Sequence, residues 1–264
     1  MNNKKISFII CTNDTFYMNE CRFYLERLEV PKDFEMDIIE VKGAASMTAG
    51  YNMGMNGSDA KYKVYLHQDV FIKERSFIQK IIDVFTQDDK IGVIGMVGTP
   101  YMHRKAIMWN GVRYGGFYRL QEGVDSRIIR KFFPINQGYM EMEAVDGLLI
   151  ATQYDIQWRE DVFKRWDFYD VSQCFEFIKN GYKVVVPGQT SDWYIHDCGV
   201  VNLANYESER KIFLKEYSEF MDSRQNEEWN VYMKKVHEMV INCYHGPEEE
   251  KQKLLAYLNT INEE

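Results

Sequence analysis

Tyr62-Lys63-Val64-Tyr65-Leu66-His67-Gln68-Asp69-Val70 is the stretch that decides the fold. Its apolar, β-rich part reads as a strand, and that strand stops on an imidazole and a carboxylate. Open α/β sheets bind ligands outside the carboxyl ends of their strands, so His67 and Asp69 stand where polar groups meet a ligand.

Working outward, Ile6 to Cys11, Met36 to Val41, Lys63 to Leu66 and Ile91 to Val97 are short β-rich runs separated by helical spacing. That alternation is the βαβ rhythm of a largely parallel sheet. In Glu74 to Thr86 the residues Phe77, Ile78, Ile81, Ile82 and Phe85 recur three and four apart, giving a helix with one apolar face. Met18 to Leu28, closed by Pro31, and Ala45 to Gly57 are further helices, the latter with small residues that permit close backbone approach to a ligand. From Gly98 to Glu143 the periodicity fails, and a stretch such as Trp109 to Tyr118 mixes Gly, Arg and aromatic residues. Its aromatic load points to an ordered, substrate-facing segment. Regular structure resumes at Ala144 to Thr152 and in a helix over Asp170 to Asn180, striped by Val171, Cys174, Phe175 and Ile178. A Gly181-Tyr182 turn and a strand from Lys183 to Val186 follow.

Beyond Val201 charged helix formers dominate. Trp229, Tyr232, Val236, Met239, Val240 and Cys243 share one face of a long helix, Gly246-Pro247 breaks it, and Leu254, Leu255 and Leu258 mark a last helix. Those faces require a partner, either the first domain or a second subunit, so a homodimer through the C-terminal helices is one expectation. The expected division is residues 1–201 as the main domain and 202–264 as a helical extension.

A chain of 264 residues, 45% hydrophobic and 15% aromatic, can bury one substantial core. The net charge of -8 argues against a nucleic-acid surface as the main function. The apolar run Ile6 to Cys11 is too short for a signal-peptide core or a membrane span, and a cytoplasmic protein is expected. Five cysteines, an odd number without a CxxC pair, suggest neither a disulfide framework nor a cysteine zinc site. Cys11, Cys174 and Cys243 fall on apolar stripes. Cys198 follows His196 by two positions and reads either as a buried thiol or as a metal fragment.

Ser7-Phe8-Ile9-Ile10-Cys11-Thr12-Asn13, Tyr51-Asn52-x-Gly54, His67-Gln68-Asp69-Val70, Val145-Asp146-Gly147, Phe168-Tyr169-Asp170, Gly181-Tyr182 and His196 occur in this order. With these motifs the chain resembles the inverting GT-A glycosyltransferases of family 2, and more closely a branch related to a streptomycin-biosynthesis protein. The resemblance spans roughly residues 5 to 200. It implies an α/β fold of the GT-A nucleotide-diphospho-sugar transferase type, a Rossmann-like mixed sheet sandwiched by helices, with the C-terminal helices left unexplained. It also implies transfer of a sugar from a nucleotide sugar, a UDP-sugar first among donors, to the hydroxyl of a saccharide or lipid-linked glycan.

In that family a DxD-like motif holds Mn²⁺ or Mg²⁺ against the diphosphate, as hard cations prefer oxygen ligands. Asp69 matches its last Asp, and His67 replaces the first, keeping a possible ligand or hydrogen-bond donor. His196 matches a late histidine that completes the metal site or touches the diphosphate. Asp170 matches the second residue of the family's Glu-Asp motif, the general base, while Tyr169 stands where Glu is common. Asp146, before Gly147, matches a donor- or acceptor-sugar position in that closer branch and is taken as catalytic with Asp170. Thr12, Asn13 and Glu40 match contacts to base and ribose, with Asn52 near the same pocket. Trp109, Tyr114, Tyr118 and Trp193 offer flat faces for sugar C–H edges. Plainer roles stand beside these: a cap for Asp69 or Asp170, a structural hydrogen bond for His196 or Asp146, solvation for Glu40. A non-catalytic nucleotide-sugar-binding or regulatory protein, with His67 and Tyr169 as lost carboxylates, also fits. A nucleotidyltransferase lacks its Gly-rich basic loop here, and a dehydrogenase its GxGxxG after the first strand.

Overall fold

The computed structural model describes residues 1–120, 132–197 and 203–262. Cys198 and the expected boundary at residue 201 lie outside the described residues.

Three parallel strands lead: β1 (Asn2–Thr12), flanked by β2 (Glu35–Lys42) and β3 (Ala60–His67). The chain then forms β4 (Val70–Ile72), β5 (Ile91–Gly95), β6 (Val97–Thr99), β7 (Tyr114–Gly115), β8 (Tyr118–Leu120) and β9 (Tyr139–Met142). After these come β10 (Ala144–Val145), β11 (Leu149–Thr152), β12 (Lys183–Pro187), β13 (Tyr194–Asp197) and β14 (Tyr244–His245). The main sheet runs β14-β9-β12-β5-β11-β3-β1-β2, with β11 antiparallel to both of its neighbours. Two small sheets, β10-β6-β7 and β4-β13-β8, stand at its rim.

Both faces of the main sheet are covered, which is why β1 is buried without alternation from Ile6 onward. Ile6, Phe8 and Ile10 pack with Met18, Cys21 and Leu25 of α1 (Thr15–Leu25). After α2 (Met47–Asn56), the helix α3 (Phe77–Phe85) adds Phe77, Ile78 and Ile81 to that same cluster. On the opposite face Ile9 and Cys11 meet Met47, Tyr51 and Met55 of α2, together with Cys174 and Phe177 of α4 (Tyr169–Lys179). The small residues of α2 serve this packing rather than a ligand. A Cβ at Gly54 would strike Ile9, and one at Gly50 would strike Cys11.

One expected strand and one expected stretch of regular structure are broken, and the breaks shape the rim. Ile91 to Val97 divides at Met96, because β6 leaves the main sheet to pair with β10 while a Cβ at Gly95 would run into Val145. Ala144 to Thr152 divides at Asp146-Gly147-Leu148, where the chain passes from β10 back into the main sheet as β11. From Gly98 to Leu120 the segment carries short strands and buried aromatic residues, and Tyr114 and Trp193 are core residues, so they are not sugar platforms. Trp109 is exposed and Tyr118 half-buried.

The C-terminal part is α5 (Tyr206–Glu216), α6 (Ser218–Met221), α7 (Trp229–Cys243) and α8 (Glu248–Asn262). It is built into the main sheet, since β14 pairs with β9. The apolar face of α7 is Tyr232, Met233, Val236 and Val240; Trp229, 45% exposed, stacks on Tyr232 from outside, and Met239 and Cys243 are half-buried. The expected stripe is therefore rotated, and its buried side lies within this chain. Arg224 closes the junction with two hydrogen bonds to Glu143, at 2.6 and 2.8 Å, under the ring of Tyr101. No helix among the described residues is long and apolar enough to cross a membrane.

A chain ending at residue 201 loses β14 and uncovers the sheet face beneath Tyr232 and Val236, so it is expected to melt earlier or aggregate. Differential scanning calorimetry with size-exclusion chromatography checks this, and an unchanged melting temperature and oligomeric state contradict it.

Candidate active site

The parallel register aligns Cys11 of β1 with His67 of β3, so both strands end at one rim. Gln68 ties the two ends together. Its Oε1 accepts from the Thr12 hydroxyl at 2.8 Å and from the backbone N–H groups of Asn13 and Asp14 at 3.1 and 3.0 Å. Its amide donates to Asn13 Oδ1 at 2.7 Å. Asp14 then caps α1 by accepting from the N–H groups of Phe16 and Tyr17, which starts that helix three residues earlier than its apolar spacing implies.

A cavity of about 340 Å³ opens at this rim, lined by Cys11, Thr12, Asn13, Met47, His67, Gln68, Asp69 and Trp166 among others. A second, of about 540 Å³, continues past Thr12 and Asn13 to Glu40 and Lys42. Glu40 is paired with Arg22 and, at 3.3 Å, with Lys42; the Arg22 hydrogen bond holds its carboxyl below the usual range. Asn52 is not part of either cavity. It is buried, and both ends of its amide are taken by the backbone of Trp158 at 2.9 Å, a structural clasp in place of the expected donor contact.

Asp69 and His196 come together through β4 and β13. Val70 is registered with His196, the Asp197 N–H donates to the Asp69 carbonyl at 2.9 Å, and His196 Nε2 lies 3.5 Å from Asp69 Oδ2. Burial opposes the Asp69 charge, but the His196 hydrogen bond and the neighbouring His67 prevail and leave its pKa below the ordinary value. Asp69 Oδ1 is buried with no hydrogen-bond partner. An unpartnered, ionised oxygen beside an imidazole suits a hard cation that takes its remaining ligands from phosphate, so Asp69 and His196 fit such an ion. Among the described residues no group of three or more His, Cys, Asp or Glu could hold a metal without that help. Asp69 does not act as a helix cap.

His67 turns the other way. Its Nε2 is 2.6 Å from the Tyr169 hydroxyl, and its Nδ1 is 3.9 Å from Asp69 Oδ1. Burial pushes its pKa down to about 4, so the ring is neutral at physiological pH. Tyr169 thus reaches into the sheet rather than standing in for a carboxylate at the acceptor side.

Asp170 sits in the first turn of α4 but is not its cap. The residue before the helix is Phe168, whose backbone is left-handed at φ 58° and whose ring is buried against Tyr206 and Phe213 of α5. A bulky residue in that region is strained and needs such packing to hold it. Asp170 Oδ2 accepts the Gly147 N–H at 2.9 Å and Oδ1 accepts the Val171 N–H at 2.8 Å. Burial first, and the charge of Asp146 second, push its pKa up to about 7. Asp146 is 8% exposed, caps its own turn by accepting the Leu148 N–H at 2.9 Å, and has its pKa raised by burial. The turn holds two acidic groups with elevated pKa values; the neighbouring rim holds a carboxylate kept ionised.

A family model for a glycosyltransferase-like family matches residues 7–217. The chain belongs to that family. No curated protein is similar enough in sequence to match. Among solved structures the fold is similar to S. aureus TarS residues 1–349, with a TM-score of 0.50 and 10% identity over 96% of this chain and 70% of that one. It is also similar to a longer S. aureus TarS structure, with a TM-score of 0.50 and 11% identity over 97% of this chain and 43% of that one. The Pyrobaculum calidifontis mannosyltransferase PcManGT, solved with GDP-Man and Mn²⁺, gives a TM-score of 0.47 and 11% identity over 98% of this chain and 69% of that one. Family membership and the TarS likeness make this architecture the GT-A nucleotide-diphospho-sugar transferase fold.

Gln68 and Trp166 are contributions to the rim that the motif reading passed over. Gln68 stood in plain view between two named residues, but its role depends on the β1–β3 register. Trp166, 49% exposed at the cavity mouth, carries no sequence signal beyond its aromaticity.

The raised pKa of Asp170 has a stability consequence. Folded Asp170 keeps a proton that the unfolded chain releases above about pH 4, so native stability falls as pH rises from there through about 7. Asp170→Asn, neutral throughout, is expected to melt above the parent at about pH 8 and to lose that advantage toward pH 4 and below. Thermal melts across that range check it; an equal deficit at every pH contradicts it.

Proposed function

We propose that this chain is an inverting glycosyltransferase that moves a sugar from a nucleotide sugar to a hydroxyl group of a saccharide or lipid-linked glycan. The observation that carries the reading is Asp170: a carboxyl group with its pKa raised to about 7, fixed by the Gly147 N–H, next to the rim that holds Asp69 and the cavity. Asp170 takes the proton of the acceptor hydroxyl as that oxygen attacks the anomeric carbon. The new C–O bond forms as the bond from the anomeric carbon to the diphosphate oxygen breaks, and the electron pair leaves with the nucleoside diphosphate. Asp69 and His196 would hold Mn²⁺ or Mg²⁺, which when bound supplies charge stabilisation to the leaving diphosphate. Thr12, Asn13 and Glu40 border the space for base and ribose. Asp146, buried within the turn, sets the field around Asp170, and its place in the family motif is what supports a contact with the sugar. The Val145-Asp146-Gly147 motif supports a place in the branch related to a streptomycin-biosynthesis protein, and a UDP-sugar is the first donor to test.

Asp69→Ala is expected to abolish the gain in UDP affinity that Mn²⁺ provides, read by isothermal calorimetry with and without the metal. Metal-dependent affinity that survives the substitution removes Asp69 from the assignment. For Asp170→Asn, donor affinity is expected to persist while turnover falls by about 10²-fold or more, the usual worth of a general base. Transfer at the parental rate sends the search for a base to Asp146 and to Asp167, which lies three residues before Asp170 and has its pKa raised by burial.

A second reading, a nucleotide-sugar-binding protein without catalysis, draws on one observation. Among the described residues the metal-facing carboxylate is Asp69, without a three-ligand cluster. Nucleoside diphosphate binding with neither donor hydrolysis nor transfer under any metal establishes it.

A further inference from the structure

We propose that Tyr169 fixes the tautomer of His67: the phenol O–H donates to Nε2, so the imidazole proton resides on Nδ1 and faces Asp69 as an N–H donor. Tyr169 is a positioning residue on this assignment, and His67 serves as a donor to oxygen rather than as a cation ligand.

The argument is one of hydrogen-bond satisfaction. The Tyr169 side chain is buried, and its hydroxyl lies 2.6 Å from His67 Nε2, its hydrogen-bond partner among the described residues. If Nε2–H donated to the phenol oxygen, the phenol's own proton would be a buried donor without an acceptor, an arrangement native interiors avoid. Donation by the phenol leaves the neutral ring one position for its proton, Nδ1. That nitrogen points toward Asp69 Oδ1, itself a buried acceptor without a partner, across 3.9 Å. The gap is too long for a direct hydrogen bond and suits one bridging oxygen. Both unmet needs, an acceptor for the phenol and a donor near Oδ1, are answered by the same tautomer. The Tyr169 ring has little freedom to choose otherwise, because it occupies the space where a Cβ on Gly147 would go.

The bridging oxygen is water in the free protein; resting on the transferase reading, a diphosphate oxygen of a bound donor accepts the Nδ1–H in place of that water, and Asp69 Oδ1 would be left to the cation. Two residues that depart from the family motifs, His67 and Tyr169, then act as one unit. Together they supply an N–H to an anionic ligand at a strand end where the motif would present a second carboxylate.

The test is long-range ¹H–¹⁵N correlation spectroscopy of the full chain labelled with ¹⁵N-histidine, near neutral pH and without metal, with His67→Gln giving the assignment. The expected result is a His67 pattern of the Nδ1–H tautomer with an acceptor-type Nε2, shifting toward the Nε2–H tautomer in Tyr169→Phe. An Nε2–H pattern in the parent overturns the proposal, as does an unchanged Nδ1–H pattern in a folded Tyr169→Phe. Incorporation of 3-fluorotyrosine keeps the shape, strengthens the phenol as a donor and is expected to move the Nε2 resonance further toward the hydrogen-bonded position; no movement overturns the assignment. The tautomer is read without nucleotide. A chain that shows it yet binds no nucleoside diphosphate refutes the transferase reading and leaves this inference standing.

Discussion

The backbone N–H of Gly147 is the point on which the site turns. It donates to Asp170 and so anchors α4 at the place where the chain re-enters the main sheet as β11. The same glycine has no room for a side chain, because the Tyr169 ring lies against it and continues to His67. One residue without a Cβ therefore lets the strand end, the helix start and the interstrand turn approach closely enough to share hydrogen bonds. His67 in turn borders Asp69, which places Asp170 and Asp69 at the two ends of one chain of hydrogen bonds and packing contacts.

Along that chain the electrostatics diverge in a useful way. Asp69 has histidines beside it and stays ionised despite burial, whereas Asp170 has burial and a like charge against it and is raised to about 7. A carboxylate whose pKa is held below its ordinary value suits an ion and a leaving diphosphate. One near neutrality suits a proton transfer. Environments that push two carboxylates apart mark acid–base assignments in active sites generally.

The parallel strands and their helices were legible in the sequence because burial on both faces writes continuous apolar runs, and because α3 shows a clean three-and-four spacing. The ends Thr12, His67 and Asp69 followed from where such strands stop. What escaped was everything set by one segment crossing another. The breaks at Met96 and at Asp146-Gly147-Leu148 arise from β6 and β10 leaving the sheet together, a pairing with no periodic signature. Asn52 looked like a pocket residue, yet its amide is matched to the backbone of Trp158, distant in sequence. Tyr169 reads as a lost carboxylate until the fold shows its hydroxyl on His67. In α7 a stripe drawn by spacing alone included Trp229, which the first turn of the helix leaves outside.

The C-terminal helices belong to this argument as well. Helix α4 starts from a left-handed Phe168, a conformation that persists because the ring is held between Tyr206 and Phe213 of α5. That backbone turn sets the direction in which Tyr169 and Asp170 leave the loop, one into the sheet and one toward Gly147. Tyr206 and Phe213 of α5 thus reach the acidic site through their packing on Phe168. Strain kept at a functional position needs support elsewhere in the fold, and here that support comes from α5.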